Sequence, residues 1–411
     1  MSLSAGEREL AVLAVVALAG LLLGRGSERV GVPDVVVFLL AGVAANLAGW
    51  RPFASTDQLG QAVTVLAAAY ILHQGGESLD LDALRPVWLS VVLLATLGVL
   101  VTMAVVGAAA AWLLAAPTTL GLLVGAVLAA TDPAVLIPIY QGLRVSPRVA
   151  QVVMSESALN DATGAICASV MAAVVMGQAP SAPAAGLAFF RLVGIGIVAG
   201  LIAGVVNVLL VADGTGFLRR HGGVLALPVA VLAYAGATLL GGSGLMAAFT
   251  AGVVVRNHAV LPVAVSELTR EMSREYARGT SVVVRALIFI GLGANLDLAG
   301  LARVAGPGLL VVAVLVLVAR PLAVLASTLP DRGARWTWRE LALFGWARET
   351  GVVPGALSVV LLSEGVPGAR VVAAVTGLAI LVTVLVQGTT TPWLARRLRL
   401  TPTRPPLPAS P

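Results

Sequence analysis

The sequence predicts an all-α polytopic membrane protein of about thirteen transmembrane helices. Three observations predict it. Of 411 residues 59% are hydrophobic and only 11% charged, and mean hydropathy is +0.99, far too little polar surface for a soluble chain. Apolar runs long enough to cross roughly 30 Å of hydrocarbon recur along the whole length. No stretch alternates with a period of two, which argues against a membrane β-barrel.

The spans fall at 9–24, 30–48, 58–74, 86–114, 118–140, 147–177, 188–212, 222–240, 243–256, 279–296, 304–327, 339–363 and 370–393. Residues 1–400 thus form a single membrane domain, and 401–411 a short Pro-rich tail. Met1–Arg8 lacks the pattern of a cleavable leader, so the first helix is expected to stay. All 26 basic residues are arginine, 18 of them in one set of alternate loops and 5 in the other. By the positive-inside bias this predicts an inner-membrane protein with a cytoplasmic C-terminus and an outer N-terminus. The net charge of +6 is scattered over loops, which gives no nucleic-acid surface.

One longer connection runs from Asn257 to Thr280. Glu267, Glu271 and Glu275 alternate there with Arg270, Arg274 and Arg278, predicting a solvated surface helix that joins two halves.

Subtracting the loop arginines leaves Arg285, Arg320 and Arg348 within spans, alongside Asp132, Glu156, Asp161 and Glu349. Ionisable groups at membrane depth are costly unless paired or hydrated, so each is a functional candidate. Arg285 lies near a helix end and is expected to snorkel.

The fifth span contains Thr131-Asp132-Pro133. Proline removes a backbone donor and restricts the residue before it, so the helix should break at mid-depth beside a carboxylate. In the sixth span, Glu156 and Asn160 share one helical face and Ser157 and Asp161 the adjacent one. Carboxylate, hydroxyl and amide oxygens in that density suit a hard cation. No His or Cys constellation of transition-metal type exists.

Arg320 in the eleventh span needs an acid, and Glu156 is its natural partner. That leaves Asp161 as the carboxylate free to titrate. Arg348-Glu349 precede Thr350-Gly351-Val352-Val353-Pro354-Gly355, a second helix break. Two interrupted helices, one per half, are the signature of inverted-repeat secondary transporters. Spans 4–6 would then correspond to spans 11–13. Gradients would drive such a protein without a cofactor; a chain without lysine contains no Walker-type phosphate loop. A cation-coupled symporter of an organic solute, an intramembrane aspartyl protease using Asp132 and Asp161, and a channel are the competing readings.

These residues resemble the monovalent cation/proton antiporters of the sodium/proton exchanger type. The resemblance rests on Thr131-Asp132-Pro133, Glu156-Ser157 with Asn160-Asp161, Arg320 and Arg348. Gly75-Gly76 through Leu79-Asp80-Leu81, and Gly291-Leu292-Gly293-Ala294-Asn295-Leu296-Asp297, support it. It implies a core bundle beside a dimerisation domain, a homodimer, and elevator-like movement. Asp161 would carry cation or proton alternately, with Thr131, Asp132, Glu156 and Ser157 helping to coordinate Na⁺ (or K⁺ or Li⁺). Asn160 would mark the electroneutral class, and Arg320 would hold Glu156. Glu349 after Arg348 and His73-Gln74 before the glycines depart from the family pattern. His73 reads as an interfacial helix-end residue, with pH sensing as the alternative.

Overall fold

The computed structural model describes residues 4–30, 32–52, 58–131, 145–178, 182–213, 218 and 221–401. Among them the regular structure is helical throughout. The helices are α1 (Ala5–Val30), α2 (Asp34–Leu47), α3 (Gln58–Glu77), α4 (Trp88–Leu113), α5 (Thr118–Ala129), α6 (Pro147–Val175) and α7 (Ala182–Val211). They continue with α8 (Gly222–Leu239), α9 (Gly244–Arg256), α10 (Glu267–Ala294), α11 (Leu298–Thr328), α12 (Trp338–Trp346), α13 (Val352–Ser363) and α14 (Ala369–Arg397). With α12 and α13 taken as halves of one interrupted span, these helices fall on the thirteen predicted segments. Among the described residues eight helical stretches are long and apolar enough to cross a membrane, and α2, α5, α9 and the apolar part of α13 are shorter.

One prediction is corrected. The Glu/Arg repeat after Asn257 is not a separate surface helix but the polar first half of α10. The Ser266 hydroxyl caps the start by accepting from the Thr269 amide at 3.3 Å, and Glu267 favours the positive helix end. Glu267 pairs with Arg270 and Arg274, and Glu275 with Arg278. At 1.5 Å per residue such a helix is about 42 Å long, more than the hydrocarbon thickness, so its charged turns project beyond it.

Two apolar cores organise the bundle. One joins α4, α5, α6, α11, α13 and α14; the other joins α1, α2, α3, α8, α10 and α14. Backbones touch at two glycine crossings beside this second core. A Cβ on Gly42 of α2 would collide with the backbone of α10, and one on Gly252 of α9 with the His73 carbonyl of α3. Close approach through small residues is the usual means of joining helices in lipid. The α2–α10 and α3–α9 contacts are what an inverted repeat exchanging α2 with α9 and α3 with α10 requires.

Four of the connections assigned to one membrane side meet at one end of the molecule. Val87, Val145, Ala334 and Leu398 lie in one apolar cluster. There Asp331 accepts from the Ser90 hydroxyl at 2.7 Å, and the Arg148 guanidinium lies 4.1 Å from the Trp336 ring centroid.

Candidate functional site: two broken helices and the polar face of α6

Helix α5 ends at Ala129, and Ala130 turns to extended backbone (φ −68°, ψ 144°). The break expected in the fifth span is therefore present. Asp132 and Pro133 lie outside the described residues. Thr131, just before them, is buried and locked to α6. Its amide donates to Asn160 Oδ1 at 3.1 Å, and Asn160 Nδ2 donates to Thr131 Oγ1 at 2.9 Å. Thr131 Oγ1 lies 2.9 Å from Ser157 Oγ. A neutral amide can accept and donate at once, which is what this double link uses.

Asp161 is 1% exposed. It stands one turn beyond Ser157 and one turn before Gly164, where a Cβ would come within 3.2 Å of Ala130 Cβ. Residues 157, 160–161 and 164 form one strip of α6, and that strip packs on the broken end of α5. The structure thus brings Thr131, Ser157, Asn160 and Asp161 to one crossing.

Glu156 faces another way. Arg320 of α11 grips both its carboxylate oxygens, Nη1 on Oε1 and Nη2 on Oε2 at 2.9 Å. Both residues are almost fully buried, and a two-pronged geometry is what makes such a pair tolerable away from water. Arg320 also donates through Nε to the Phe344 carbonyl at 2.7 Å and through Nη2 to the Ala347 carbonyl at 3.4 Å.

Those carbonyls belong to the second break. Between α12 and α13 the chain unwinds over Ala347–Gly351, which strands the last carbonyls of α12. Arg320 serves two of them, and Gln387 Nε2 of α14 donates to the Trp346 carbonyl. The Thr350 amide donates to Thr383 Oγ1 at 2.9 Å. Arg348, 1% exposed, reaches the opposite way and donates to the Leu128 carbonyl in the last turn of α5. A cation there complements the negative helix end. The two broken helices are thereby tied at mid-bundle. Glu349 is fully buried on the same unwound segment.

Both helices flanking the break carry a π-helical turn, Leu315–Ala319 directly before Arg320 and Thr383–Gln387 in α14. Such turns insert a residue and re-aim the side chains beside them. Thr383 and Gln387 escape a sequence reading because single polar residues in an apolar run look like packing. Their spacing of four was the available signal.

Two expectations change. Arg285 does not snorkel: it donates to Asp34 Oδ2 through Nη2 at 2.7 Å and Nε at 3.2 Å, both side chains being largely buried. Asp34, just after Pro33 at the predicted start of a span, was the missed partner. His73 is not interfacial either, being fully buried against α9. Asp80 and Asp297, from the motifs near the glycines, are helix caps, accepting from the Asp82 and Gly300 amides respectively.

A helix that ends inside its predicted span and a second span that unwinds at Ala347–Gly351, tied at mid-bundle beside buried carboxylates, define a polytopic secondary transporter. The sodium/hydrogen exchanger transmembrane family matches residues 13–397, and the chain belongs to that family. The K(+)/H(+) antiporter NhaP2 of Shewanella sp. (strain MR-4) is 30% identical over 412 residues, covering 97% of this chain and 68% of that protein. Na(+)/H(+) antiporter 1 of Methanocaldococcus jannaschii is 29% identical over 84% of this chain and 82% of that protein. The solved structure of the sodium proton antiporter MjNhaP1 from M. jannaschii at pH 8 superposes with a TM-score of 0.78 at 25% identity. It covers 95% of this chain and 98% of that one.

Proposed function

We infer that this protein exchanges a monovalent cation for protons across the membrane through Asp161. The observation that carries this reading is the division of labour on α6. Glu156 is already held by Arg320, whereas Asp161 sits on the strip facing the α5 break. Carrying a bare carboxylate through a dry barrier is costly, but a protonated or cation-bound one is nearly neutral. Competition at one carboxylate then couples the two fluxes without nucleotide or other cofactor.

Thr131, Ser157 and Asp132 are the further oxygen ligands, with Glu156 bordering the site. Asn160 and Arg320 hold that geometry, and Arg348 caps α5. A neutral Asn160 fits a one-for-one, electroneutral exchange. Na⁺ is the favoured cation, with K⁺ and Li⁺ the alternatives; the names of the two relatives above include both a K⁺ and a Na⁺ exchanger. The loop arginines support an inner-membrane placement with the C-terminus cytoplasmic and the N-terminus outside, and the family resemblance supports a homodimer in the bilayer.

The test is purified protein in liposomes carrying an imposed pH gradient. Adding Na⁺, K⁺ or Li⁺ should dissipate the gradient, and the cation concentration needed should rise as pH falls. No response to any of the three, from mildly acid to alkaline pH, would overturn the exchanger reading.

A further inference from the structure

His73 takes no part in the exchange site, yet it has no exposed surface. Its Nδ1 lies 3.2 Å from the Ala248 carbonyl of α9. A carbonyl oxygen only accepts, so Nδ1 carries a hydrogen and donates it. A neutral imidazole has one N–H, which leaves Nε2 as a bare lone pair. That nitrogen is enclosed and makes no hydrogen bond. It stands 3.4 Å from Oε1 of Glu77, one turn further along α3. This is longer than a good N–H···O bond but within ion-pair reach. Two acceptors facing each other away from water are unfavourable until a hydrogen comes between them. The Glu77 side chain is 29% exposed, so a proton has a route in.

We propose that His73 and Glu77 form a second proton-binding site, separate from Asp161, whose occupancy modulates exchange. When it is filled, the His73 Nε2–H donates to the Glu77 carboxylate. When it is empty, lone pair faces carboxylate. The α3 and α9 backbones touch at this point, Gly252 against the His73 carbonyl, so the pair sits at a close helix crossing. Both helices also pack on α6. Leu72 and Phe249, the chain neighbours of His73 and Ala248, share one apolar cluster with Leu159, which precedes Asn160 and Asp161.

Few other charges bear on the pair. α3 offers Tyr70, α8 Tyr234, and α9 only Arg256, which is held by Asp80 at 2.7 Å. α10 brings Tyr276 and the Glu/Arg pairs of its first turns, and Arg285 occupied by Asp34. On α6 stand Arg148, paired with Glu340, and Cys167, Asp161 and the Arg320-bound Glu156. α13 adds none among its described side chains.

The functional half of this proposal rests on the exchanger reading; the proton-binding half does not, and two measurements separate them. In protein labelled with ¹⁵N-histidine, the His73 signal is identified by its loss in His73→Gln. It should report Nδ1–H alone at alkaline pH and hydrogens on both nitrogens on acidification. An Nε2–H tautomer, or no protonation of Nε2 down to about pH 5, would overturn the site.

In liposomes, Glu77→Gln places a permanent N–H against Nε2, and His73→Gln places one against Glu77. Each variant should match the unsubstituted protein at the acid end of the exchange profile. Each should depart from it by about threefold or more at the alkaline end, the double variant no further than the singles. Superimposable profiles would overturn the coupling. Glu77 is partly exposed, so Glu77→Gln serves if His73→Gln does not fold. Absent exchange in the unsubstituted protein would strike the exchanger reading and leave the ¹⁵N result standing.

Discussion

Arg320 holds Glu156 with two nitrogens of its guanidinium while donating to the Phe344 and Ala347 carbonyls at the end of α12. One side chain therefore neutralises a buried acid of α6 and satisfies the broken end of another helix. Removing it strands a charge and two carbonyls together.

Arg320→Ala should accordingly lower stability by about 3–5 kcal/mol, the usual cost of leaving one member of a buried pair alone. The check is a thermal or denaturant transition of the detergent-solubilised protein. Arg320→Ala/Glu156→Gln should recover a substantial part of the loss, and a double variant no more stable than the single would show that the pair is not the cause.

Asp161→Asn should behave in the opposite way. The amide is nearly isosteric with the carboxylate, so the transition should stay within about 1 kcal/mol of the starting protein. Cation-driven collapse of a pH gradient should disappear in liposomes. Residual exchange near the original rate would transfer the carrier role elsewhere.

Arg348→Ala should uncap α5 by freeing the Leu128 carbonyl. An unsatisfied buried acceptor costs about 1–3 kcal/mol. Because this capped end presents Thr131, the apparent cation affinity should weaken as well. Measuring the cation concentration for half-maximal exchange separates that effect from a plain loss of folded protein.

Gly252→Ala should be among the most damaging single-methyl additions. Its Cβ meets the His73 backbone rather than a movable side chain, so α3 and α9 must separate. Overpacking of this kind typically costs about 1–3 kcal/mol, and more where backbone must shift. Gly236→Ala, with nothing within 4 Å of the added carbon, is the matched control, and equal effects on melting temperature would contradict the crossing.

Asp80 makes a pH prediction outside the spans. The Ala83 amide foremost, then Arg256 and the Asp82 amide, hold its carboxyl below the usual aspartate value against a raising effect of burial. A carboxyl depressed in the folded state adds stability above its unfolded value, near 3.9, and loses it as pH falls through the folded value. The side chain is 35% exposed, so solvent screening limits the contribution to at most about 1 kcal/mol. Melting temperature should therefore fall less on acidification below about pH 4 in Asp80→Asn than in the unsubstituted protein; parallel curves would remove Asp80 from the account.

The sequence by itself determined the membrane class, the thirteen segments and the residues that must answer for buried charge. Apolar run length and the cost of an unpaired ion are local properties, readable without coordinates. They sufficed to break the fifth and twelfth spans and to join Arg320 to Glu156. Only the tertiary structure decided what lies across helices. It paired Arg285 with Asp34, some 250 positions away. It turned Arg348 toward α5, gave Gln387 the Trp346 carbonyl, and buried His73 beneath α9. It also merged the charged linker into α10, because a cap at Ser266 and a continuous helix leave no reason to stop. Partners in a bilayer are chosen by which helices cross, and no spacing along one chain segment records a crossing.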